Sequence, residues 1–105
     1  MNKYIKTKEI IKQLHYGVTY KISILGNSMY PILKHGDIVT IKKVEPNEYV
    51  KNDVVVFYQH HIMIVHRIIE RINEIVITKG DAVNNPDKSI TIYDIYGKII
   101  NIMDS

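Results

Sequence analysis

The chain has 105 residues, 46% hydrophobic and 24% charged, enough for one small domain and too apolar for an intrinsically disordered segment. Its formal charge of +3 comes from scattered lysines, which argues against a nucleic-acid footprint. The absence of cysteine excludes a disulfide framework, a thiolate nucleophile and a cysteine-based zinc site.

No apolar run approaches the length that spans a bilayer, and Met1–Lys6 lacks the apolar core of a secretory signal. The expectation is a soluble, cytoplasmic protein, associated with a membrane at most through its surface. Residues 1–17 are expected to form an appended amphipathic helix, and residues 18–105 the main domain.

In chain order, Thr7–Tyr16 is predicted to be the one helix. Thr7 can cap it, Glu9 suits the positive end of its dipole, and Gly17 can close it. Ile10, Ile11 and Leu14 form a stripe for packing on the core. A short basic amphipathic segment of this kind also suits a membrane surface or a partner. From Val18 onward, runs rich in Ile, Val and Tyr alternate with turn signals. Strands are predicted near Tyr20–Leu25, Ile38–Lys43, Val54–Tyr58, Ile62–Glu70, Ile75–Thr78, Ser89–Ile92 and Ile95–Ile102. So many short strands in so short a chain point to a mainly β fold, a compact coiled all-β domain.

Between the first two strands lies Gly26-Asn27-Ser28-Met29-Tyr30-Pro31-Ile32-Leu33-Lys34-His35-Gly36-Asp37. By composition it is an ordinary turn, in which Gly, Asn, Ser and Pro are all at home. A turn can also expose a serine hydroxyl and aim backbone N–H groups at the same point, and a serine nucleophile needs both those donors and a nearby base. Further along, His66 shares a strand face with Ile62, Ile64 and Ile68, as a half-buried core histidine would. Asp81 and Asp87 are, on composition, turn formers beside Gly80 and Pro86. His60, His61 and His66 lack the cysteine or carboxylate company of a zinc site, so neither metal nor cofactor is expected. His35 is expected to be solvent-exposed.

Three ordered boxes carry a resemblance. Ser28-Met29-Tyr30-Pro31-Ile32-Leu33 with Gly36-Asp37, then Asp53-Val54-Val55-Val56-Phe57 with Val65-His66-Arg67-Ile68-Ile69, then Thr78-Lys79-Gly80-Asp81 with Asp87, resemble the type I signal peptidases and the LexA-type serine peptidases. The closest likeness is to the archaeal and endoplasmic-reticulum signal peptidases, in which histidine replaces a lysine base. The boxes run from Gly26 to Asp87, and Ile95–Ile99 resembles the family's last strand.

The resemblance implies a serine endopeptidase with Ser28 as nucleophile, His66 as general base and Asp87 as the acid that orients it, with Asp81 as the competing orienter. Gly26, Asn27, Met29, Tyr30 and Pro31 would contact the substrate, an extended segment of a peptide or protein precursor with small residues before the scissile bond. The family's usual serine two residues before the nucleophile is Gly26 here, so the oxyanion would depend on backbone N–H groups. Asn52 stands where a glycine is usual, which a turn tolerates because Asn adopts positive φ. The family's membrane anchor is not seen. Two other readings follow from the same boxes: a catalytically idle peptide- or partner-binding module, and LexA-like self-cleavage. Self-cleavage is disfavoured, because no Ala-Gly or Cys-Gly bond precedes Ser28 and the only alanine is Ala82.

Overall fold

The computed structural model describes residues 3–103. A helix, α1 (Lys3–Gln13), precedes seven strands: β1 (Thr19–Ser23), β2 (Ile38–Lys42), β3 (Val54–Gln59), β4 (Ile62–Ile72), β5 (Ile75–Lys79), β6 (Ile90–Thr91) and β7 (Gly97–Met103). They form one antiparallel sheet in the order β1-β2-β7-β3-β4-β5-β6. The fold is mainly β, and each predicted strand has its counterpart, with ends displaced by two residues at most.

The sheet coils because its long strands serve different neighbours along their length. β4 pairs with β3 through Ile62–Arg67 and with β5 from Arg67 onward, with a shift of register between Ile68 and Glu70. A second shift, between Thr40 and Ile41, bends β2 against β7. Such irregularities increase local twist and let a short chain wrap around its own core. The side chains sort into two apolar clusters on opposite faces of β3. Val55 and Phe57 join Tyr49, Ile68, Val76 and Ile92 on one face. On the other, Val56 joins Ile24, Met29, Leu33, Val39 and Ile41. Residues two apart share a face in a strand, so the unbroken Val54-Val55-Val56-Phe57 run serves both clusters.

The helix departs from expectation. It begins at Lys3, which puts Thr7 in its interior instead of at its cap, and it has no acidic residue in its first turn. Lys, Ile and Glu all support helix, and nothing before Thr7 breaks it, so a β-branched residue is absorbed without becoming a boundary. The apolar stripe is narrower than predicted: Ile11 is buried, Leu14 is half-buried, and Ile10 is 54% exposed. Gly17, at φ 92°, lies beyond the helix end and donates its N–H to the Lys43 carbonyl. The helix is closed instead by the Lys43 ammonium, which donates to the carbonyls of Ile11, Lys12 and Leu14 at 3.0, 2.8 and 2.7 Å. A cation there satisfies carbonyls left without partners and opposes the negative end of the dipole. This fastens α1 to the segment following β2.

Among the described residues no helix is long and apolar enough to cross a membrane.

Candidate active site

Ser28 lies in the turn after β1, held from three directions. Met29 next to it is 2% exposed and packs in the core with Leu33. The Leu33 N–H returns to the Met29 carbonyl at 2.9 Å, and the Ala82 N–H donates to the Ser28 carbonyl at 2.8 Å. An apolar anchor directly after the serine thus fixes the backbone while the hydroxyl stays half-exposed.

His66 enters from β4, opposite Val55 of β3. Its ring is largely buried, and Phe57 meets it edge-on with centroids 6.3 Å apart. Nε2 stands 3.1 Å from Ser28 Oγ, and Nδ1 stands 2.6 Å from Asp87 Oδ2. The same Oδ2 accepts the Thr78 hydroxyl at 2.7 Å. Asp87 also donates its backbone N–H to the Thr78 carbonyl at 2.8 Å, so the two residues are tied through side chain and backbone alike. A carboxylate on Nδ1 keeps the proton on that nitrogen, which leaves the Nε2 lone pair directed at the serine hydroxyl. Ser28, His66 and Asp87 therefore form one continuous hydrogen-bonded chain.

Asp81 is elsewhere employed. Its two oxygens accept Arg67 Nε and Nη2, each at 2.9 Å, in a bidentate pair. The guanidinium holds the Asp81 carboxyl below the usual carboxylate range, chiefly through these hydrogen bonds, and the carboxylate in turn raises Arg67. Asp81 thus bonds Arg67, and it is Asp87 that stands on the His66 ring. Arg67 also donates to the Asn52 carbonyl at 2.9 Å. Asn52 has φ 81°, the conformation for which Asn substitutes for glycine.

Gly80 sits beneath the pair. A Cβ there would lie 2.7 Å from the Ser28 carbonyl oxygen and 3.0 Å from His66 Nε2. Here glycine is required by close approach, since no side chain fits between the loop and these two groups.

A cleft of about 130 Å³ opens at the hydroxyl, walled by Ser23–Leu25 on one side and Met63–His66 on the other, with Met29 at its floor. The β3–β4 turn explains why this wall is available. His60 and His61, at φ 50° and 65°, form a two-residue hairpin closed by the Gln59–Ile62 pair. Alternation from that pair directs the backbone groups of Ile62, Ile64 and His66 toward β3 and those of Met63 and Val65 away from it. Because β5 begins pairing only at Arg67, Met63 and Val65 face an open edge. Across the cleft, Ile24 exchanges bonds with Gly36 and Asp37, so the backbone groups of Ser23 and Leu25 face it.

Of the expected substrate-contacting residues, Met29 lines this cleft, whereas Gly26, Asn27, Tyr30 and Pro31 are exposed beside it. In the sequence the walls from Ser23–Leu25 and Met63–Val65 carry no site role, and Thr78 and Val65 figure there only as the first residues of two runs within the boxes. The sole available signal was the strand alternation placing Met63 and Val65 together. Among the described residues no group of three or more His, Asp or Glu side chains is gathered to hold a metal ion.

The family model described as Peptidase S24-like matches residues 2–100 of the chain. No curated protein matches it.

Proposed function

Because this chain belongs to the Peptidase S24-like family, and is thereby of the serine-peptidase kind, we propose that it is an endopeptidase working through an acyl-enzyme at Ser28. The observation that carries the proposal is the continuous run from Ser28 Oγ through His66 to Asp87, with separations of 3.1 and 2.6 Å.

In the first half-reaction, Ser28 Oγ attacks the scissile carbonyl as His66 Nε2 accepts its proton. The N–H groups of Asn27 and Ser28, which donate to no protein acceptor among the described residues, are available for the developing oxyanion. As the C–N bond breaks, the imidazolium gives its proton to the leaving amine, leaving the acyl group esterified to Ser28. Water, deprotonated by His66, then attacks the ester, and Ser28 recovers its proton as the acid product leaves. Asp87 holds the tautomer and opposes the charge that forms on His66.

The substrate is a peptide or protein precursor in extended form, laid between the open edges at Ser23–Leu25 and Met63–Val65 as an added strand. A cleft of about 130 Å³ suits small or medium side chains before the scissile bond. Leader or propeptide removal in the cytoplasm, by an enzyme related to the histidine-containing signal peptidases, is the form of this activity that the sequence resemblance favours. Cleavage of a library of extended peptides by the wild-type protein, abolished by Ser28→Ala and by His66→Ala, is the expected result. Equal cleavage by Ser28→Ala would refute the acyl-enzyme.

A further inference from the structure

The turn that presents Ser28 is closed on its leading side by a residue from the far end of the same loop. Gly26, at φ 78°, donates its N–H to His35 Nδ1 at 2.8 Å. The His35 N–H returns to Asn27 Oδ1 at 3.4 Å. These two bonds bracket the residues immediately before Ser28. A ring nitrogen that accepts a hydrogen bond carries no proton, so the brace exists only while His35 is neutral with its proton on Nε2.

We propose that His35 is a positioning residue: its unprotonated Nδ1 holds the Gly26–Ser28 turn in attacking geometry and releases it when the imidazole becomes cationic. The proposal rests on the reading of Ser28 as the nucleophile. The trailing side of the turn is anchored independently, by buried Met29, the Leu33–Met29 bond and the Ala82–Ser28 bond. On the leading side the nearest such anchor is Ile24, buried and bonded to Gly36 and Asp37, which leaves Gly26 two residues beyond it. No heavy atom lies within 4 Å of where a Gly26 Cβ would stand, so packing does not fix its torsions, and glycine has the widest conformational freedom of any residue. The bond to His35 supplies the missing restraint, and with it the orientation of the Asn27 and Ser28 N–H groups.

The charges around this ring are few. Lys34 and Asp37 belong to its own turn, with Asp37 Oδ2 engaged by the Lys34 N–H at 2.8 Å. The facing segment, residues 23–28, contains only uncharged residues. Protonation of Nδ1 therefore sets a donor against the Gly26 donor, with no facing carboxylate to offset it. Catalysis then depends on two deprotonations, one at His66 for its base role and one at His35 for the turn.

The test uses the full chain and two variants. His35→Asn places an untitratable amide oxygen near the Nδ1 position, whereas His35→Ala removes the acceptor. In log(kcat/KM) against pH, the wild-type acid limb should be steeper than about 1 over a drop of about one log unit before settling to a slope of about 1, whereas His35→Asn should keep a slope of about 1 throughout with most activity at pH 8 restored. His35→Ala should lose about tenfold at pH 8, mainly in kcat, as expected for loss of one hydrogen bond. A wild-type slope of about 1 throughout, or a His35→Ala profile matching wild type, would overturn the proposal.

A second readout needs no turnover. In Ser28→Ala protein, the Gly26 amide resonance and the His35 ring-nitrogen resonances should titrate with one shared midpoint. A Gly26 amide indifferent to His35 protonation would refute the brace itself. Shared titration in a wild-type protein that cleaves nothing and takes no serine-directed probe would instead sink the peptidase reading, and the positioning role with it.

Discussion

Thr78, with no exposed surface, donates its hydroxyl to Oδ2 of Asp87, the oxygen that stands 2.6 Å from His66 Nδ1. The carboxylate is thus fixed by a side chain of β5 before it meets the histidine of β4. Thr78→Val keeps the shape and removes the donor. It should cost about 1 kcal/mol of stability and lower kcat severalfold with little change in KM, while Thr78→Ser restores kcat. Denaturant melts and steady-state kinetics on the two variants measure both effects.

The two aspartates should separate cleanly. Asp87→Asn replaces a carboxylate on Nδ1 by a neutral amide and should lower kcat by a factor on the order of 10³ to 10⁴ with the fold intact. Asp81→Asn breaks the pair with Arg67 and should weaken activity by about tenfold or less, through the loop it holds. A larger loss in Asp81→Asn than in Asp87→Asn would reverse the assignment.

Asp81 also carries a pH signature in stability. Arg67 holds its carboxyl below the ordinary value in the folded protein. The folded state therefore binds the proton less readily than the unfolded chain. Its contribution is complete above the unfolded carboxylate value, about 3.9, and is lost as pH falls through the lower folded value. The wild-type melting temperature should thus fall more steeply below about pH 4 than that of Asp81→Asn, and the two curves should converge in strong acid.

Gly80→Ala tests the close approach under the reactive pair. Its Cβ would stand 2.7 Å from the Ser28 carbonyl and 3.0 Å from His66 Nε2, so one of the two must move. Stability should fall by about 1–3 kcal/mol, the usual cost of overpacking. Activity should fall much further, by about 10²-fold, because displacement of about 1 Å between reacting groups has that effect. Circular dichroism establishes that the sheet persists while kcat is lost.

The strands were legible because Ile, Val and Tyr runs with turn residues at their ends report the pleat directly. The extension of β4 to Ile72 was not, since Arg71-Ile72 resembles a turn signal until the bulge near Ile69 keeps it in register with β5. Helix α1 was misplaced at its start because Thr7 is a good cap in sequence but continues a helix already begun at Lys3. Its end depends on Lys43, some thirty residues away, and no local pattern encodes that contact. The approach of Ser28, His66 and Asp87 could be expected only from the resemblance, since they come from three separate segments. Thr78, the open edge at Met63 and Val65, and the His35–Gly26 bond left no mark in composition. Each depends on strand pairing or on a backbone partner distant in sequence.

The central claim is that Ser28 is activated by His66, and covalent labelling with a phosphonate serine probe addresses it directly. Intact mass and peptide mapping should place one adduct on Ser28 in the wild type, none in Ser28→Ala and none, or a trace, in His66→Ala. Labelling of Ser28 at the same rate in His66→Ala, or no labelling of the wild type by any of a panel of such probes, would contradict the account.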